Sequence, residues 1–194
     1  MEKIIFCLKE QIDNLLKSGR RIIVAIDGNC TAGKTTLAAM LEKEYDCNVF
    51  HMDDFFLRPE QRTPERYAQP GGNVDYERFQ EEILLPLGEG VSFSYRPFSC
   101  KSFCLSEPVE VVPKQLNIVE GTYCLHPYFG DMYDLRVFLR IDPQLQGQRI
   151  LLRPEPVRER FFTDWIPMEM QYFAAFGIPE QADLSFDMTD ASLY

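Results

Sequence analysis

Apolar residues recur along this chain in two rhythms. Ile4, Ile5, Leu8, Ile12, Leu15 and Leu16 fall at helical spacing and are closed by Ser18-Gly19, which predicts a leading amphipathic helix packed on its own domain. Residues 21–27, Arg-Ile-Ile-Val-Ala-Ile-Asp, instead form an unbroken β-branched run, the pattern of a parallel strand buried on both faces. Shorter runs at 47–52, 116–120, 135–141 and 182–188 read as further strands. Helical patterns lie between them at 37–43, at 75–85, from 144 onward and at 165–176. Residues 91–112 alternate apolar and polar positions around turn residues, which predicts a small antiparallel insert outside the main sheet. Strand alternating with helix over 194 residues predicts one α/β domain spanning 1–194.

Composition adds constraints on partners. The net charge of −10 repels polyphosphate backbones, so a small ligand in a local basic pocket is expected and a nucleic acid is not. Neither a secretory signal nor an apolar run of membrane-spanning length is evident, so a cytoplasmic protein without membrane contact is expected. The six cysteines are scattered and read as reduced thiols.

The strongest chemical signal lies between the first strand and the helix behind it. Residues 28–36, Gly-Asn-Cys-Thr-Ala-Gly-Lys-Thr-Thr, fit G-x-x-x-x-G-K-[ST], and both flanks are of the right kind. Gly28, Asn29, Cys30, Thr31, Ala32, Gly33, Lys34, Thr35 and Thr36 are therefore expected to cradle nucleotide phosphates with backbone N–H groups at a helix N-terminus. Lys34 would reach the β- and γ-phosphates, and Thr35 would offer its hydroxyl to Mg²⁺.

Other residues gather around that loop by position. The second strand runs into Asp53-Asp54-Phe55-Phe56, and ligands bind at the carboxyl ends of strands in open α/β sheets. Asp53 is the candidate to take or orient the proton of an attacking hydroxyl; Asp54 points the other way and is equally readable as a cap. Glu120, ending a short strand before Gly121, resembles a Walker B acid that holds Mg²⁺ directly or through water. Residues 57–73, rich in Pro and Gly, read as a mobile loop carrying Arg58, Arg62 and Arg66, each either solvated or on a ligand. Tyr95 and Phe98 in the insert are either core residues or stacking surfaces for a flat ligand. His126 is expected to pack or cap a turn. Arg149 and Arg153, four apart on one helical face, begin a lid over about 149–165 that would bring guanidiniums onto phosphates, with Arg158 and Arg160 behind them.

The phosphate loop, Asp53-Asp54-Phe55-Phe56, Asn73-Val-Asp75, Val119-Glu-Gly121 and the arginine-bearing helix occur in this order over most of the chain. In that order they resemble the uridine kinase and phosphoribulokinase family. The resemblance implies a P-loop NTPase fold, three-layer α/β/α with five parallel strands, and transfer of the γ-phosphate of ATP to an alcohol with Mg²⁺. It maps the catalytic carboxylate onto Asp53, the ribose contact onto Asp75 and the phosphate-contacting lid arginines onto Arg149 and Arg153. Uridine kinases carry a Tyr and a His near the base where this chain has Phe56 and Cys100, so these positions and Tyr95 are the acceptor-side candidates. The acceptor expected is nucleoside-like, with a ribosyl compound, sugar or pantothenate-like alcohol as alternatives. The rival reading is a nucleotide-dependent switch that phosphorylates no acceptor.

Overall fold

In the computed structural model, which describes residues 2–189, the apolar runs become the strands of one sheet. Helix α1 (Glu2–Leu16) leads into β1 (Ile22–Gly28); α2 (Lys34–Glu44) and β2 (Cys47–His51) follow the phosphate loop. A 3-10 turn over Met52–Phe55 carries the two acids. Next come α3 (Pro64–Tyr67) and α4 (Tyr76–Phe79), the latter continuing through a π turn, Gln80–Leu84, into α5 (Leu85–Glu89). The insert supplies β3 (Phe93–Tyr95), β4 (Phe98–Ser99), β5 (Cys104–Leu105) and β6 (Val109–Val111). After β7 (Leu116–Glu120) and β8 (Leu135–Arg140), helices α6 (Pro143–Leu151) and α7 (Glu155–Arg160) lead through a second π turn, Phe161–Trp165, to α8 (Ile166–Phe176). Helix α9 (Ile178–Gln181) and β9 (Leu184–Asp187) close the fold.

The main sheet has five strands in the order β2-β7-β1-β8-β9, all parallel. Alternate residues of β1 feed opposite cores, which is why its sequence is apolar throughout. Ile23 and Ala25 join Phe50, Val119 and Phe138 on one face. Ile22, Val24 and Ile26 join Leu37, Ile118 and Val137 on the other, where α1 seats Leu8 and Ile12. Helices thus cover both faces, the three-layer arrangement expected, and each fully buried aliphatic side chain contributes about 1.5–3 kcal/mol. The insert is two nested antiparallel hairpins, β3 with β6 and β4 with β5. Among the described residues no helix is long and apolar enough to cross a membrane.

Register places the chemistry. Glu120, the last residue of β7, lies beside Ile26 on one side and His51 on the other. The phosphate loop, Glu120 and the Asp53 turn therefore emerge together at the carboxyl edge of three adjacent strands. Two features differ from the sequence expectation. Segment 57–73, expected to be mobile, is braced: Arg66 donates to the carbonyls of Gly72 and Val74 and makes two bonds to Glu77. Helix α6 stops at Leu151, so Arg153 lies past its C-cap and does not share a helical face with Arg149.

Candidate active site

The phosphate loop is shaped by close approach. Gly28 has φ +140°, and a Cβ there would lie 2.1 Å from the Leu139 carbonyl oxygen, so only glycine lets β1 run this near β8 before turning. Thr31 and Gly33 both adopt left-handed backbone, and α2 starts directly after Gly33. The Lys34 ammonium is buried against the loop and donates to the carbonyls of Gly28 and Asn29 at 2.8 and 2.9 Å. Thr31 Oγ1 is buried without a hydrogen-bond partner, a donor that a phosphate oxygen would satisfy. These groups fit a nucleotide triphosphate, and they are the groups named from the sequence.

Across the loop, Glu120 Oε1 accepts the Thr35 hydroxyl at 3.0 Å and lies 2.6 Å from His51 Nδ1. The hydrogen bond to Glu120, opposed by burial, raises the His51 imidazole above its ordinary pKa. Thr35 and Glu120 are hard oxygen donors of the kind Mg²⁺ takes, and the pair fits that ion. Among the described residues no cluster of three or more His, Cys, Asp or Glu is arranged to hold a metal. Gly121 lets β7 leave this point closely: a Cβ there would sit 2.7 Å from that of Met52, the residue before Asp53.

Asp53 opens onto the cleft, yet the protein walls around it desolvate its carboxyl and raise its pKa. Glu120 acts in the same direction, while Lys34, His51 and Arg153 oppose it. Arg153 is thus within electrostatic reach of Asp53. Arg149 reaches the loop from outside, donating to the Thr31 carbonyl at 2.9 Å. Asp54 is half-buried with its pKa raised by burial, between His51 and Arg78.

Sequence reasoning missed the support behind the loop. Glu169 of α8 is buried and accepts from the Cys30 backbone N–H at 2.8 Å and from Gln146 Nε2 of α6 at 2.8 Å, with Asn29 Nδ2 at 3.4 Å. Asp27, fully buried, accepts from the N–H groups of Gly28, Tyr123 and Leu125 and from the Tyr172 hydroxyl. The signals the sequence held were an acid between two methionines at Glu169 and an acid ending an apolar run at Asp27; Gln146, flanked by Gln144 and Gln148, gave none.

Comparison with solved structures decides the architecture. A possible uridine kinase of Bacillus stearothermophilus is similar over 93% of this chain and 99% of its own, with TM-score 0.64 and 22% identity. A candidate fructose transport system kinase of Silicibacter sp. TM1040 is similar over 94% and 98%, with TM-score 0.68 and 22% identity. Phosphoribulokinase of Rhodobacter spheroides is similar over 87% and 70%, with TM-score 0.58 and 16% identity. The chain has the fold of the P-loop kinases. No protein family model matches it, and no curated protein matches it in sequence.

Within that P-loop kinase fold the acceptor-side candidates separate. Cys100 is exposed on the insert, and its thiol is raised by partial desolvation from the surrounding protein, with Asp53 adding to this and Arg62 and Arg160 opposing. Phe56 is half-buried and bridges Val74. Tyr95 is not available for stacking on a ligand: it is buried, stacked on Phe55 at 5.7 Å and edge-on to Phe50 at 6.0 Å. Asp75 is also engaged, and only 2% exposed. One carboxyl oxygen caps α4 at Arg78 N and the other accepts from Gln61 Nε2 at 2.8 Å. The ribose-contact expectation meets a carboxylate already bonded within the protein. His126 is buried and caps the Pro127–Phe129 turn, as expected.

Proposed function

We propose that this chain is an ATP- and Mg²⁺-dependent kinase that phosphorylates a hydroxyl of a small alcohol. The observation that carries this reading is the convergence of Lys34, the Thr35–Glu120 pair and Asp53 at one sheet edge, set there by the pairing of Glu120 with Ile26 and His51. Magnesium, when bound, neutralises charge on the phosphate oxygens. Loop N–H groups and Lys34 hold the phosphates; Thr35 and Glu120 would hold the ion through their oxygens. Asp53 accepts the acceptor's hydroxyl proton as its oxygen bonds to the γ-phosphorus and the bond to the β-phosphate oxygen breaks, releasing ADP. Arg153 keeps charge balance near the reacting atoms.

A nucleoside acceptor is the weaker version of this reading, because Tyr95 and Asp75 are both occupied within the protein. The test is incubation with Mg-ATP and a panel of nucleosides, ribosyl compounds, sugars and pantothenate, with the acceptor's mass gain followed directly. An active acceptor should lose about 10²–10⁴-fold in kcat in Asp53→Asn, the range for a positioned general base, while nucleotide affinity is kept. Full-rate transfer by Asp53→Asn would remove Asp53 from the scheme.

A further inference from the structure

Four arginines follow Asp53 in the chain, on the braced segment and α4. Three are neutralised within the protein. Arg58 lies 3.5 Å from Glu60 and 3.9 Å from Asp75; Arg66 is paired with Glu77 at 2.6 Å; Arg78 is paired with Glu82 at 3.0 Å and Asp75 at 3.6 Å. Among the described residues Arg62 has no carboxylate within ion-pair distance; its one hydrogen bond runs from Nε to the Leu57 carbonyl at 2.9 Å.

Arg62 is nevertheless held in place. Its guanidinium carbon lies 5.5 Å from the ring centre of Phe98 and 5.2 Å from that of Phe103, so the insert flanks the charge with two aromatic rings. Phe103 does this from a left-handed backbone, φ +55°, which a bulky residue adopts only under constraint, and its N–H is fixed to the Ser99 carbonyl at 2.8 Å. A solvated surface arginine needs no such frame. Strand β4, which carries Phe98, packs against the 3-10 turn that carries Asp53, and Leu57, whose carbonyl holds Arg62, follows that turn, so the cation is anchored to the same corner of the fold as the acid.

A guanidinium whose Nε is occupied, with its two terminal amino groups free of protein acceptors, has the geometry for bidentate recognition of an oxyanion. We propose that Arg62, framed by Phe98 and Phe103, is the specificity-determining residue for an acceptor alcohol that carries a carboxylate or a phosphate. This deepens the kinase reading and rests on it. A neutral acceptor would leave the cation unused, while an anionic one places its hydroxyl toward Asp53 and its charge on Arg62.

The test uses binding, so that it stands apart from transfer. Wild-type protein, Arg62→Met and Arg62→Lys, each saturated with Mg²⁺ and a non-transferable ATP analogue, are titrated calorimetrically with matched pairs: glycerate and glycerol, ribose 5-phosphate and ribose, pantothenate and panthenol. Wild type should bind at least one anionic member about tenfold to a hundredfold more tightly than its neutral partner, the range for a charge-assisted hydrogen-bonded contact. Arg62→Met, which keeps an apolar stem against the rings, should lose that preference, and Arg62→Lys should keep part of it. Whether the carboxylate or the phosphate pair responds identifies the charged group. Equal binding of both members, binding of no anionic member, or an unchanged preference in Arg62→Met would overturn the proposal. Should Arg62→Met fail to fold, the wild-type pairs and Arg62→Lys still decide it. The same panel with Mg-ATP, followed by mass, judges the kinase separately. Transfer to neutral alcohols alone keeps the kinase and removes the role of Arg62; Arg62-dependent anion binding without transfer to any acceptor removes the kinase and with it Arg62's role as acceptor reader, leaving an anion site.

Discussion

Asp27 sits beneath the phosphate loop at zero exposure, and burial raises its carboxyl from 3.8 to about 6 against the pull of its N–H donors and Lys34. Because the folded value is the higher one, this group's contribution to stability is fully present below about pH 3.8 and is lost as pH rises through about 6. Asp27→Asn carries no such charge. Denaturant titrations of the two proteins should therefore show wild type losing on the order of 3 kcal/mol relative to the variant across that window, and a difference that does not move with pH would contradict it. Asp53 has a parallel consequence for rate. Its carboxyl is raised, and the ionised form is the base, so transfer should rise with pH along a limb lying above the usual carboxylate range. A kcat/KM profile flat through that region would argue that a different group takes the proton. Neither acid's environment was legible in the chain: Asp53 stood out by its place after a strand, whereas Asp27 read as the end of an apolar run. What distinguishes Asp27 is the ring of donors from residues 123, 125 and 172, which only the fold assembles.

All five main strands lie within a residue or two of their expected ranges, the central ones because burial on both faces wrote apolar runs, the edge strands β2 and β9 through shorter patterns that mix apolar and polar positions. Periodicity was less informative where a helix changes winding, as at the π turns of Gln80–Leu84 and Phe161–Trp165, because one extra residue rotates the apolar stripe. It gave no sign that α8 returns to the phosphate loop. Through Glu169 and Gln146 that helix, α6 and the loop share one buried hydrogen-bond network. Replacing Glu169 with Gln leaves one acceptor oxygen where there were two, so whichever way the amide turns at least one of these donors meets an N–H, and leaving a buried donor unmatched costs about 1–3 kcal/mol. Nucleotide affinity in Glu169→Gln should fall roughly tenfold or more by that cost, with the acceptor's KM little changed. An unaltered nucleotide affinity would show the network to be structural only.

For the whole molecule, the net charge is −10, and Lys34 and Arg149 bring positive charge to the phosphate loop. A ligand held there should stabilise the folded chain by mass action, and Mg-ATP at a hundred times its Kd is worth about 2.7 kcal/mol. In a protein of this size that corresponds to a rise in Tm of roughly 5–10 °C, measurable by calorimetry. Chelating the magnesium should shrink the rise, and Lys34→Ala should abolish it; a full shift in Lys34→Ala would place the nucleotide elsewhere. The sheet order has a further consequence, in the assembly of the chain. The strand that carries the phosphate loop is made early, yet its two neighbours are β7 and β8, with Ile22 paired to Leu116 and Val24 to Leu135. Such distant pairings form slowly. During synthesis β1 therefore waits, apolar and unpaired on both edges, until Leu116 begins β7, and on one edge until Leu135 begins β8, which makes the first half of this protein the part most dependent on being shielded until the second half arrives.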